Sequence, residues 1–436
     1  LMKTNLTQLK VDEMLEELQT DLPSRTSTVG KWVDGIINVL KGVKATKGVG
    51  SVWTTKHKVR GLAPVNKMVP RRGLAMKLDL DFVAPSQVEI CGSYALGTQT
   101  KPFLSVDLLV TIPDDCLEQD DVRNHIYFDK RRLFLAVLAD ALGNSDLVRE
   151  DGVSVMLFKG DVRKPMLVVQ SAHKRRTHTI RIIPCVSPQA FKLKHLLSSR
   201  NNVRPLEWLE ADDSAKLDKD SLVPTPCYNT CLLEEVVAPQ QAALIKSATA
   251  TVPAYRKAAV LLKVWLHQKG FRGAQDSLDA HTSGLLLLHV LETRGNASQM
   301  SPLAIFQLVV KFLANTDLSA PGLIFGNMKA EPLETPAVGA ANLVYPVRDA
   351  SGSLLFFNLL WRMSASALCE LTACAAKTLQ VLQKEPGSVY ECVFSTKVSF
   401  WTRYDLVYSF PAVPVAPDEE SGDENDDAVR EEARVR

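Results

Sequence analysis

Residues 91–98 and 104–110 carry the chemistry most worth asking about in this chain of 436 residues. Cys91-Gly92-Ser93-Tyr94-Ala95-Leu96-Gly97-Thr98 follows a short apolar run containing Val88 and Ile90. Successive backbone N–H groups left unpaired in a tight Gly-Ser turn form a concavity that binds anions, a phosphate above all. Leu104-Ser105-Val106-Asp107-Leu108-Leu109-Val110 then reads as a second strand with one acid inside it. A hard divalent cation prefers charged oxygen, and the hydroxyl of Ser105 cannot replace a carboxylate as a main ligand. The turn is suited to a phosphate, and the neighbouring strand offers a single carboxylate, Asp107.

The elements that must hold these residues are legible from periodicity. Leu6, Leu9, Met14, Leu15 and Leu18 predict a helix ending before Pro23, and Ser27 caps a second with Val29, Trp32, Val33, Ile36, Ile37 and Leu40 on one face. Both are expected to pack on the domain that follows. After the strand–turn–strand of residues 86–112, Phe128 to Leu142 predict a helix with a wide apolar stripe, a basic start at Arg131 and Arg132, and a stop at Gly143. Three β-like runs follow, at residues 153–158, 166–169 and 179–186, the first two joined by Lys159-Gly160-Asp161. Beyond Val236 the chain reads as all-helical: residues 239–250, 253–269, one opened by His281-Thr282-Ser283-Gly284, one capped by Ser301, and a last over residues 364–382. His289 on its apolar helix reads as a satisfied core histidine, and the run from Val393 to Tyr404-Asp405 reads as strand-like. The expected division is N-terminal helices and basic linker (1–82), an α+β domain (83–236), a helical domain (237–388), the start of another unit (389–416) and an acidic tail (417–436).

Composition bounds the class. With 46% hydrophobic and 23% charged residues the chain can build two or three cores. No apolar run approaches the roughly 18 residues that span a bilayer, and residues after Leu1 show no signal pattern, so the expectation is a soluble, intracellular protein without membrane contact. The eight cysteines lack zinc-type spacing and read as buried, reduced thiols. The net charge of +2 conceals an asymmetry: residues 418–436 hold nine acids and three arginines, which leaves 48 Lys+Arg against 40 Asp+Glu, or +8, in the rest. Such a tail is expected to stay unfolded.

The excess cations are concentrated. Residues 41–77 contain ten Lys/Arg, among them Lys56, Lys58, Arg60, Arg71 and Arg72, and no acid. Residues 159–204 contain eleven, among them Lys174, Arg175, Arg176, Arg200 and Arg204, against Asp161 alone. Runs this one-sided repel themselves unless a polyanion or an acidic surface neutralises them, which makes a phosphate backbone the expected partner and a solvated face the simpler alternative.

The strand, Gly-Ser turn and acidic strand together resemble the active-site hairpin of nucleotidyltransferases. In those enzymes paired acids on the second strand and a third acid on a later strand hold two divalent cations. Here the resemblance puts Ser105 at the first acid and Asp107 at the second, while Thr179-Ile180-Arg181-Ile182-Ile183-Pro184-Cys185-Val186 offers Arg181 where the third should be. Asp107 is then the expected partner of Arg181, and neither metal nor cofactor is expected. Gly92-Ser93 would be the remnant of the phosphate turn. Four strings in order are similar to the Nrap family, the nucleolar RNA-associated proteins of the small-subunit processome: Gly92 to Thr98, Pro188-Gln189-Ala190-Phe191-Lys192-Leu193, Ser198 to Arg204, and Pro224-Thr225-Pro226-Cys227-Tyr228-Asn229-Thr230. That resemblance implies an α+β fold, a degenerate nucleotidyltransferase-like domain with a mixed sheet, followed by an all-helical poly(A) polymerase/oligoadenylate synthetase-like domain. It implies a nucleolar, non-catalytic scaffold that meets pre-rRNA or snoRNA and other processome proteins, with no small-molecule substrate, and a second such pair of domains that these residues lack. The alternatives are an active template-independent transferase drawing a further acid from Glu150, Asp151 or Asp161, and a module that meets only acidic proteins.

Overall fold

Val106, Leu108, Val110 and Ile112 alternate with Asp107, Leu109 and Thr111 along β4 (Ser105–Ile112), and all seven are buried. A strand covered on both faces belongs in the middle of a sheet, and β4 lies between β3 (Gln87–Cys91) and β7 (Thr179–Val186). The five-stranded sheet has the order β3-β4-β7-β6-β5, with β5 Val148–Leu157 and β6 Pro165–Ser171, and only β4 and β7 run parallel. The computed structural model describes residues 2–18, 27–50, 53, 79–101, 104–173, 178–204, 222–271, 276–294, 299–327, 338–384, 387–398, 406 and 408. Lys56, Lys58, Arg60, Arg71, Arg72, Lys174, Arg175, Arg176 and the acidic tail lie outside them. Chain contacts separate Leu1–Lys397 from Val398–Arg436, and every helix and strand named below belongs to the first unit.

Helices α1 (Met2–Leu18) and α2 (Thr28–Lys41) do not act as one pair. Ser27 caps α2 as expected, its hydroxyl accepting from the Gly30 N–H at 3.0 Å. α2 buries Trp32, Val33, Ile36 and Leu40 against the sheet domain, and the Trp32 indole donates to the Leu147 carbonyl at 3.1 Å. α1 touches that domain at its C-terminal end, where the Leu18 carbonyl accepts from the Lys101 N–H at 3.1 Å, and also packs on the helical part, where Lys10 pairs with Glu391 and lies over the Tyr390 ring. Two short strands, β1 (Thr46–Val49) and β2 (Leu80–Phe82), pair beside them.

The crossover between the parallel strands includes α4 (Ile126–Gly143), which covers one face of the sheet; the shorter α3 (Gly92–Leu96) is the Gly-Ser segment. The basic start of α4 is not a solvated one. Arg131 is fully buried and donates to the Glu235 carboxylate at 3.0 Å and to the carbonyl of Pro165, while Arg132 reaches Asp129 and the Val162 carbonyl.

The helical part contains α5 (Pro226–Thr251), α6 (Tyr255–Gln268), α7 (Ala280–Arg294), α8 (Pro302–Asn315) and α9 (Ala365–Lys384). Pro239 lies inside α5 instead of opening a helix, so the division expected at 236/237 falls within one continuous 26-residue element. An internal proline costs one backbone bond, and here Tyr228, Leu232 and Val236 before it and Ile245 and Ala248 after it are buried in the same core. Asp279 caps α7, accepting from the His281 and Thr282 N–H groups at 2.8 Å each, ahead of the motif that the sequence suggests as the opening. Ser301 caps α8 as expected, and Ser364 accepts from the Ala367 N–H ahead of α9. The helical part also carries a hairpin, β8 (Val344–Arg348) with β9 (Leu354–Asn358), that periodicity did not mark. Residues 390–395 are a π-helix and not a strand. Adjacent Val393 and Phe394 both bury in the core, which a helical turn packed against the helical part allows without a sheet to cover both faces.

His289 is a core histidine as expected, buried between the rings of Phe312 and Phe325, but it is not a satisfied one, since neither ring nitrogen has a hydrogen-bond partner among the described residues. All eight cysteines are free, but Cys227, Cys369 and Cys392 are exposed instead of buried. Among the described residues no helix is long and apolar enough to cross a membrane.

Candidate functional site

Strands β4 and β7 run parallel in a register that puts Asp107 beside Arg181. Laterally paired residues share a face, so two side chains 74 positions apart meet on one side of the sheet. The guanidinium grips the carboxylate with both arms: Nε donates to Oδ1 at 2.6 Å and Nη2 to Oδ2 at 2.8 Å. A bidentate pair of this kind is the strongest geometry open to these groups. Burial lowers the pKa of Arg181, but the Asp107 carboxylate outweighs it and holds the guanidinium above its ordinary value.

Asp107 is enclosed from the other side as well. Cys91 pairs with it across the β3–β4 ladder, and Gly92 has φ +65° and would overlap the Asp107 carboxylate if it carried a Cβ. Glycine is therefore required twice over at this position, by backbone sign and by contact. Burial and then the Asp107 charge push the Cys91 thiol well above its usual range, so it stands as a neutral neighbour. Ser93 lies in the five-residue α3, closed by Gly97 at φ +64° with the Thr98 N–H donating to the Ser93 carbonyl at 2.9 Å. Ser105 opens β4, its carbonyl accepting from the buried Gln99 amide at 2.6 Å.

These residues do not fit the paired divalent cations of a nucleotidyltransferase. Both oxygens of the one carboxylate are taken by a cation that is part of the chain, and the other two ligand positions offer a hydroxyl and that same guanidinium. Nor do the alternative acids supply a ligand set. Glu150 and Asp151 lie on β5, three strands from β4 across the sheet. Asp161 is held by Arg163 at 2.9 Å and by Arg362 at 3.3 Å. Among the described residues no group of three or more His, Cys, Asp or Glu is placed to hold a metal ion.

Where the sequence suggests a basic surface around the site, part of that charge is internal. Of the eleven cations in residues 159–204, Lys159, Arg163, Lys164 and Arg181 are bound to carboxylates. Lys159, in the turn after β5, bridges Glu234 of α5 at 3.1 Å and Asp279 at 2.8 Å; Lys164, fully buried, reaches Glu234 at 2.7 Å; Arg362, after β9, reaches Glu234 at 2.8 Å. This network joins the sheet's hairpin tip to the helical part. Burial raises the pKa of Glu234, but Lys159, Lys164 and Arg362 outweigh it and hold it well below the usual carboxylate range. The overlooked signal was Glu234-Glu235 inside the apolar run Leu232 to Val237, since adjacent acids in a buried helix demand cations. Arg200 is exposed and Arg204 half-buried, with Lys192 and Lys194 exposed on the same segment. The Arg200 carbonyl is structural, accepting from the Thr225 N–H and the Asn229 side chain, and the Arg204 N–H donates to Asn124.

The family model described as Nrap protein domain 1 matches residues 51–251, and the one described as Nrap protein PAP/OAS-like domain matches residues 254–397. The chain belongs to the Nrap family. Its fold is accordingly α+β, a mixed sheet with helices followed by a PAP/OAS-like part. Among curated Nrap relatives, it is 28% identical to nucleolar protein 6 of Homo sapiens over 93% of this chain and 35% of that protein. It is also 28% identical to nucleolar protein 6 of Xenopus tropicalis, over 94% of this chain and 34% of that protein. The chain thus spans about a third of the length of the curated relatives it matches. The relatives' shared name places this Nrap chain in the nucleolus. Among solved structures, the RNA terminal uridylyl transferase Cid1 aligns at TM-score 0.47 and 10% identity, over 91% of this chain and 99% of that one.

Proposed function

We propose that this chain is a non-catalytic, RNA-associated scaffold of ribosome biogenesis, part of the small-subunit processome, with a nucleotidyltransferase-like fold kept for its surfaces. One observation carries the reading: the Arg181 guanidinium claims both oxygens of Asp107, the one acid left of the expected three. A fold shared with enzymes does not decide activity, and a ligand set short of two metals supports the non-catalytic reading. The nucleolar role is supported by family membership and by the relatives' name. RNA as the partner is supported by the exposed Lys192, Lys194 and Arg200 and by the density of cations in the sequence at Lys56, Lys58, Arg60, Arg71, Arg72, Lys174, Arg175, Arg176 and Arg204.

The test has two arms. Purified protein given an RNA primer, each nucleoside triphosphate and Mg²⁺ or Mn²⁺ should extend nothing, and extension that disappears on Asp107→Ala would refute the non-catalytic reading. In RNA titrations across salt concentrations, changing Lys174, Arg175 and Arg176 together to alanine should weaken binding and flatten the log–log slope by about one unit for each phosphate no longer neutralised. Unchanged affinity and slope, with the release of an acidic protein partner instead, would move the basic surface from RNA to protein.

A further inference from the structure

Strand β5 is the outer strand of the sheet, paired with β6 and, among the described residues, with no strand beyond it. In an antiparallel ladder alternate residues turn their N–H and C=O toward the neighbour, and the residues between turn theirs outward. The Phe158 N–H donates to the Lys164 carbonyl at 2.8 Å. Stepping by twos from that bonded pair makes Met156 opposite Met166 and Ser154 opposite Val168 the inward-bonded pairs. Val153, Val155 and Leu157 therefore present their backbone groups to the open edge. Pro165, which has no N–H to give, sits opposite Leu157, where this phase needs none.

The edge is apolar as well as unpaired. Met156 is 52% exposed, Leu157 39%, and Val162, just past the hairpin turn, 54%. Sheet edges are ordinarily blunted by lysine, proline or a bulge. Residues 153–157 contain neither lysine nor proline, and the irregular register with Asp151 at φ +55° blunts only the far end. At the near end the hairpin tip forms one wall of a cavity of about 540 Å³ that Trp361, Arg362 and Cys227 complete. Its guanidiniums are more open than the acids that balance them: the Arg163 and Arg362 side chains are 26% and 15% exposed, against 5% for Asp161 and 10% for Glu234.

We propose that β5 is a docking edge for an extended segment of a partner protein, which adds a sixth strand to the sheet and lodges an acidic side chain against Arg163 and Arg362. Main-chain bonds to Val153, Val155 and Leu157 supply affinity, Met156 and Val162 meet the alternate side chains, and the guanidiniums fix direction. A nucleic acid is the poorer match, because a phosphate backbone seeks open cations and not an apolar rim. So is a second copy: two β5 strands meeting over residues 153–157 would bury far less than the roughly 1,200 Å² of a stable interface, whereas a peptide also fills the cavity.

The test selects binders to the full chain from a displayed library of random peptides, then measures the enriched peptide by fluorescence anisotropy and hydrogen exchange. Enriched sequences should alternate β-branched residues with others and carry Asp or Glu at one end, and exchange in residues 153–157 should slow on binding. Val155→Pro removes an outward N–H and no bond to β6, so it should lower the melting temperature only by what the half-buried valine packs against the core, and weaken the peptide about tenfold or more. Met156→Lys, at an exposed position, should weaken it in the same direction without depending on a proline being tolerated. The proposal fails if no peptide is enriched, if neither variant alters affinity, or if protection appears elsewhere. It also fails if the edge is taken by something else: a dimer that Val155→Pro abolishes, or an RNA oligonucleotide that protects residues 153–157.

Discussion

Glu234→Ala removes the carboxylate on which Lys159, Lys164 and Arg362 converge. Lys164 suffers most, because it is fully buried and its next acid, Glu235, is 3.8 Å away and already engaged by Arg131 and Tyr127. Breaking a buried ion pair by deleting one partner costs about 3–5 kcal/mol, since the remaining charge keeps its desolvation penalty without compensation. Unfolding entropy of about 2.1 cal/mol/K per residue, over the unit Leu1–Lys397, converts that cost to a fall in melting temperature of about 4–6 °C. Scanning calorimetry on the variant and the parent measures it. The pH dependence gives a second reading. Glu234 is held well below its ordinary pKa, and Asp279, raised by burial but lowered more by Lys159, lies at about 2. Carboxylates depressed in the folded state contribute stability above their unfolded pKa, about 4, and lose it as pH falls toward their folded values. Parent stability should therefore decline below about pH 4.5, and more shallowly in the variant, which has one depressed carboxylate fewer. A melting temperature within a degree of the parent, with an unchanged acid slope, would refute the view that this network holds the hairpin tip to the helical part.

Gly92→Ala should destabilise the chain by about 1–3 kcal/mol in denaturant unfolding, because the new Cβ meets the Asp107 carboxylate at a positive φ; equal stability would mean the pocket around Asp107 yields freely. Ser105→Asp should fold normally and create no metal-dependent transfer, since Arg181 still occupies Asp107, and activity in the single variant would show that a third acid lies elsewhere. Truncation after Pro417 should leave the melting temperature unchanged, because nine acids and almost no apolar residues offer nothing to bury, and a drop of several degrees would contradict it.

Much of this protein could be read locally. Turn chemistry at Gly92-Ser93, alternation along residues 105–112 and 179–186, the Ser27 cap and the stripe from Trp32 to Leu40 each depend on neighbours a few positions away, and each formed as periodicity required. The site's composition was legible in the same way, because a serine and an arginine stand at positions where the resemblance calls for acids. What local pattern could not decide was who meets whom. A strand's alternation says which face Asp107 and Arg181 share with their own neighbours, but only the parallel register of β4 and β7 puts them side by side across 74 residues. The cations of residues 159–164 looked like a solvated surface because the acids that bind them from outside the segment, Glu234 and Asp279, and the Arg362 that shares Glu234 with Lys159 and Lys164 come from helices and loops far along the chain. Charge counts along a sequence register how many ions there are. Burial, which turns a surface cation into an internal one that must be paired, is a property of the packed elements and was settled only when α5, α7 and the segment after β9 closed over the hairpin tip.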